Sequence, residues 1–467
     1  MASSSVVPIA LGPHLAGEFE SLLVAVDAAW KKAATDPLLG HRGVGVPQAD
    51  ALLAEFSVKL RDLLPKRSVA NDGPNLYIAT QIYKDGGHTG LLGDMARAIE
   101  GPARLLITNK HGHHPKKPGP AHLERIGRLA EGIIVLRSEK ELERFEELLG
   151  WLREMRPRRV ILFHHPDDPL PVIAAAASGA DQVAIVHHAD AIPSLGLHLP
   201  GVILIDLNPT AAAFSRAWGL SPALLPMTVP DPGPRPRGFL VRGQPVTATC
   251  ARSHKLRSEH PVCYTNAVPE ILASTGGWHV HIGALEDEML ATILRGMDER
   301  GIARDRLIYH ELVPSLARAL HENDVDVYLS SFPIDGARTN VEVASAGVPY
   351  LAFVREKKKG PPGGFSMEGR MEWTNWEDLR QCLGEITKPG FLEMKSALLR
   401  DSYLHRHHPD VFAGHLAEIF AGGKGWNDPD ACVHDQKALA KLRGEAPGES
   451  IPGVRGVSQG PCAANDA

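Results

Sequence analysis

The sequence predicts two doubly wound α/β domains, each a parallel sheet with helices on both faces, set across a cleft. Three observations carry this. Short β-rich apolar runs alternate with helical stretches from Asn75 onward, five prolines crowd the thirteen residues 226–238, and beyond them the same alternation starts afresh. A length of 467 residues agrees with that reading, since roughly 100 to 200 residues make one domain.

Residues 1–66 read as an N-terminal helical segment, because Phe19, Leu22, Leu23 and Val26 recur at three- and four-residue spacing. Residues 67–225 form the first α/β domain, with strands expected at 76–80, 104–108, 132–136, 158–165, 182–188 and 202–206. Residues 226–238 cannot enter a helix or inner strand and read as a linker. Residues 239–421 make the second domain, with strands expected at 245–250, 279–283, 306–311, 325–331 and 349–353. Residues 422–467, rich in glycine, proline and polar side chains, read as a flexible tail.

Composition narrows the function. Fifty basic against 55 acidic side chains leave a formal charge of −5, and no basic stripe interleaved with aromatics marks a nucleic-acid surface. No apolar run reaches the roughly 18 to 20 residues of a membrane span, and the first ten residues lack a signal-peptide pattern. A cytoplasmic protein is expected. The five cysteines contain no C-x-x-C pair, which argues against a disulfide frame or zinc ribbon. Histidine, at 23 residues, is the outlier.

In this fold class, ligands bind in the loops at the carboxyl ends of the strands. Four such loops carry chemistry. In 325–349 a strand ends at Ser330 and Ser331, a turn on Pro333 and Gly336 follows, and a helix starts near Thr339. Its free N–H groups suit a diphosphate, with Thr339 as N-cap or hydroxyl donor, Arg338 adding a cation, and Glu342 placed to accept from ribose hydroxyls. The segment 249–256 sets Arg252 and Lys255 on the neighbouring loop. In 84–99 the turn Gly86, Gly87, His88 opens a helix, so an imidazole able to take a proton stands at the domain edge, with Asp94 on the same helix to cap or orient. Finally, the pairs His164–His165 and His187–His188 each end a strand and are expected to face the cleft, with Asp167, Asp168 and Asp190 nearby. They would serve acceptor binding, proton transfer or metal ligation. The pair His279 and His281 has the H-x-H form, but is expected to alternate across its strand with one ring facing away.

Taken in this order the pieces resemble a GT-B glycosyltransferase. The second half is similar to the donor domain of O-GlcNAc transferase-type enzymes through T-C-A-R-S-H-K at 249–255, the arginine-led strand 306–311, and the series Asp326, Pro333, Gly336, Thr339, Glu342, Gly347, Pro349. The first half resembles bacterial sugar transferases with a G-G-H-T turn, here 86–89, and an H-H-A-D-x-x-x-x-L-G segment, here 187–196. The resemblance implies His88 as base, Lys255, Arg338, Thr339 and Gly336 on the donor diphosphate, and Glu342 on the ribose. His164, His187, His188 and Asp190 are left to the acceptor or the cleft. It implies a nucleoside diphosphate-sugar donor, in particular a UDP-sugar, a small-molecule, glycan or protein acceptor, inversion, and neither metal nor prosthetic group. Two other readings stand beside it: a metal-dependent hydrolase built on the histidine pairs, and a non-catalytic subunit that binds a nucleotide-sugar.

Overall fold

The computed structural model describes residues 6–37, 39–40, 43–64, 73–84, 86–112, 118–189, 192–258, 262–354 and 367–426. Two helices, α1 (Pro13–Ala34) and α2 (Pro47–Leu60), lead in. The first domain then runs β1 (Asn75–Ala79), α3 (Gly87–Ala98), β2 (Ala103–Ile107), α4 (Pro120–Ile126), β3 (Ile133–Val135), α5 (Glu141–Met155), β4 (Arg159–Phe163), α6 (Pro169–Ala177), β5 (Gln182–His187), β6 (Ile203–Asp206), α7 (Pro209–Ala217) and β7 (Ala223–Leu224). The second runs β8 (Val246–Cys250), α8 (Ser253–Leu256), α9 (Tyr264–Thr275), β9 (Trp278–Ile282), α10 (Asp287–Asp298), β10 (Leu307–His310), α11 (Leu316–Glu322), β11 (Val327–Leu329), α12 (Ala337–Ser345), β12 (Tyr350–Phe353), β13 (Met371–Trp373), α13 (Trp376–Glu385), α14 (Phe391–Arg406) and α15 (Pro409–Phe420).

All recorded strand pairs are parallel. The orders are β3-β2-β1-β4-β5-β6-β7 and β10-β9-β8-β11-β12-β13. Each sheet therefore reverses direction once, between β1 and β4 and between β8 and β11, and a doubly wound sheet opens a crevice at that place. The central strands are buried on both faces, as β1 is along its whole length, which is why they read as unbroken apolar runs. β7 and β13 are additions to the sequence reading, two and three residues long.

Helices cover both faces of each sheet. On one side of the first, α1, α2, α5 and α6 bury Phe19, Leu53, Phe145 and Ile173, with Phe19 stacked on Phe145 at 4.6 Å. Full burial of one such side chain is worth about 1.5–3 kcal/mol. Asp50 of α2 accepts from Gly196 N at 2.6 Å and His198 N at 2.9 Å, so the leading helices are tied to the H-H-A-D-x-x-x-x-L-G segment. The other face holds α3 and α4 and also the last helix, whose Phe412, Leu416 and Ile419 share a core with Tyr77 and Ile107. α15 thus returns from the second sheet to pack on the first. Backbone bonds between Leu224 and residues Lys424 and Trp426 continue that return beyond it.

Candidate functional site

At the first switch point, the loop after β1 turns through Gly86, φ 97°, into α3. His88, in the first turn of that helix, has Nε2 at 3.1 Å from Phe163 O. A carbonyl only accepts, so Nε2 carries the hydrogen and Nδ1 is a bare lone pair; that atom is buried without a partner. Burial lowers the pKa of His88 to about 4, so the ring is neutral. His188 lies edge-on at 4.4 Å, Tyr83 at 5.8 Å and His165 at 6.5 Å.

The histidine pairs do not act as pairs. His188 Nε2 donates to His164 O at 3.0 Å and joins His88. His187, last residue of β5, points to the opposite side and holds Asp206 at 2.7 Å in a fully buried contact. The expectation that both rings face the cleft is therefore corrected by strand alternation. His164 is buried with Nε2 on Leu195 O at 3.1 Å, while His165 faces Tyr83, whose hydroxyl lies 2.8 Å from Nε2. The Asp168 carboxylate accepts from Thr80 and Thr108, each at 2.7 Å, and is buried. Asp190 lies outside the described residues.

At the second switch point, the loops after β8 and β11 touch: Ile334 N approaches Lys255 O at 3.4 Å. Half-buried Lys255 is therefore beside the turn that opens α12. Gly336 is the N-cap of that helix, and Thr339 is its third residue, not the cap. A Cβ on Gly336 would stand 3.0 Å from the Thr339 Cβ, so a larger residue there would have to push Thr339 aside by a few tenths of an ångström. Asp335 carries a role that sequence spacing did not suggest: its carboxylate accepts from Gly336 N at 2.7 Å, from Asn340 Nδ2 at 3.0 Å and from Ser330. Burial pushes the Cys250 thiol up to about 12, with Glu342 adding to the rise and Lys255 opposing it. Glu342 and Lys255 thus act on one neighbourhood.

The two switch points meet through Arg338. Its Nη1 lies 2.5 Å from Asp94 Oδ2 on α3 and 2.5 Å from Thr228 O in the linker. Its side chain is 11% exposed, and Nε is 3.7 Å from Glu342. Gly87 and Gly90 make the approach possible, since a Cβ at Gly90 would stand 2.9 Å from the Arg338 Nε. Arg338, expected on a diphosphate, is here an interdomain clamp. Arg125, which the sequence did not single out, donates to Gly86 O at 2.6 Å and feels Arg338, Glu342 and Asp94. Burial raises the pKa of Glu342, with Arg338 and Arg125 opposing.

A buried chain of hydrogen bonds links α9 to β9 in the second domain. Tyr264 OH meets His279 Nε2 at 3.0 Å and His281 Nδ1 at 2.6 Å, and His281 Nε2 donates to Gly283 O at 3.1 Å. Both rings of the H-x-H pair therefore lie on one face. That corrects the expectation of opposed rings, because residues two apart on a strand share a side.

The arrangement is one known among solved structures. The Anabaena HepE complex with UDP and glucose superposes with a TM-score of 0.55 at 11% identity, over 74% of this chain and 99% of that one. The lipopolysaccharide outer core galactosyltransferase WaaB gives 0.51 at 13%, over 75% and 99%. This chain has the GT-B fold. A Thermobaculum terrenum O-GlcNAc transferase variant matches more loosely, at 0.48 and 15% identity over 88% and 77%, too loose to argue from. No family model and no curated protein matches the sequence. Among the described residues of this GT-B chain, no helix is long and apolar enough to cross a membrane.

Proposed function

We propose that the chain is a glycosyltransferase, a hexosyl-transferring enzyme that moves a sugar from a nucleoside diphosphate-sugar, in particular a UDP-sugar, to an acceptor hydroxyl or other nucleophile. The acceptor is a small molecule, glycan or protein, the reaction inverts the anomeric centre, and no metal ion serves the diphosphate. A cytoplasmic setting belongs to this reading. The observation that carries it is the meeting of the two switch points: the turn holding a bare imidazole nitrogen packs directly on the helix whose start adjoins Lys255.

His88 Nδ1 takes the acceptor proton as the nucleophile attacks the anomeric carbon from the face opposite the diphosphate. A ring held near pKa 4 is a weak base, and the negative charge of a bound diphosphate raises it toward the working range. Charge developing on the leaving phosphate is met by Lys255 and by the N-terminal N–H groups of α12, including that of Thr339. Gly336 keeps that turn open to a phosphate, and Glu342 accepts from the ribose hydroxyls. His188 lines the acceptor side beside His88, while His164 and His187 hold the surrounding backbone and Asp206. Structural neighbours that bind UDP and UDP-glucose support the choice of donor.

Thermal shift against a panel of nucleoside diphosphates tests it, because a ligand that binds only the folded chain raises the melting temperature. UDP is expected to give the largest rise, unchanged by EDTA. No response to any nucleotide would sink the proposal.

A further inference from the structure

The carboxyl edge of the first sheet carries a second cluster that the transfer reaction leaves unused. His111 follows β2, His165 and Asp167 follow β4, and these strands flank β1 on its two sides. One ligand atom from each residue lies within 4.8 Å of the others. Two imidazoles and one carboxylate are the donor set of a zinc-class ion that keeps an open coordination position. Bonds to such an ion are about 2.0–2.2 Å long.

We propose that His111, His165 and Asp167 bind one zinc-class divalent ion beside the acceptor side of the cleft. The surrounding groups orient all three. Lys110 Nζ holds Asp167 Oδ2 at 2.8 Å and Asp167 O at 2.5 Å, leaving Oδ1 turned to His111 Nε2 at 3.8 Å. The hydroxyl of Tyr83 is 2.8 Å from His165 Nε2, and the backbone N–H of His165 donates to Thr80 Oγ1 at 2.8 Å. Such outer contacts set ring orientation and typically change metal affinity about 10- to 100-fold. The rings of His111 and His165 are 5.3 Å apart and inclined by 34°. Metal occupancy and UDP binding are read by separate titrations, so either can fail without the other.

The test is calorimetric titration of tag-free, EDTA-stripped and dialysed full-length protein with zinc chloride, together with cobalt(II) absorption spectra. One equivalent is expected, with tetrahedral cobalt bands. His165→Ala and Asp167→Asn should weaken binding by at least about tenfold while melting in EDTA as the unaltered protein does. The sequence also carries His113 and His114 close by, and their double alanine variant should bind as before. Absence of stoichiometric binding overturns the proposal. So does undiminished binding by His165→Ala and Asp167→Asn, or loss confined to the His113/His114 variant.

Discussion

The two switch points have the same topology and opposite chemistry. At the first, neutral imidazoles are wired to backbone carbonyls and shielded from water, so the edge offers lone pairs and no net charge. At the second, Lys255 on α8, the turn at Asp335 and Gly336 and the start of α12 adjoin, so the edge offers charge and N–H groups. Identical strand order therefore decides where a site lies, and the loop residues decide what it does. Arg338 and Asp94 join the two edges directly, alongside the return of α15 to the first sheet.

Breaking each side in turn separates these roles. His88→Ala should lower kcat by about 10²- to 10⁴-fold with UDP affinity unchanged, measured by steady-state kinetics and calorimetry. A loss of UDP binding instead would move His88 from base to donor contact. Asp94→Ala should cost about 1.5–3 kcal/mol in denaturant unfolding, because the largely buried Arg338 loses its nearer carboxylate and keeps only the longer contact to Glu342. Arg338→Ala should cost less, since Asp94 keeps Arg97. If that variant also loses UDP, the clamp grips phosphate as well. Lys255→Ala should weaken UDP about 10- to 100-fold, as a charge-assisted contact of about 1.5–3 kcal/mol implies.

Acid stability reads the buried imidazoles together. Burial lowers His279 to about 3 and His281 and His407 to about 4. In the unfolded chain these rings take a proton near pH 6.5, whereas in the folded chain they refuse it until about pH 4. Their stabilisation is complete above pH 6.5 and is lost as pH falls toward 4. Urea midpoints across that window should decline accordingly. Tyr264→Phe, which removes the hydroxyl between His279 and His281, should make the decline shallower by loosening their burial.

Eleven of the strands were readable because each is an apolar run bounded by turn residues. β7 and β13 were not, being too short to show a period. Local signals located the turn at His88 and the turn at Gly336, since strand, glycine and helix start adjoin in the chain. They could not show that Asp335 accepts from Gly336 N in the turn before α12, that His187 turns to Asp206, or that Arg125 reaches Gly86. Asp94 and Arg338 are 244 residues apart, and no spacing rule spans that distance. The return of α15 to the first sheet escaped for the same reason: its apolar stripe says that it packs, not on what.

By itself the amino-acid order determined two parallel sheets, a proline-rich join between them, and the loops in which polar side chains collect. Periodicity, glycine and proline act over a few residues and leave a local trace. Tertiary structure alone decided which lone pairs are bare, which cations are already matched by a carboxylate, and which loops touch. Those outcomes depend on burial and on pairing between distant segments, and so become visible only once the chain is folded.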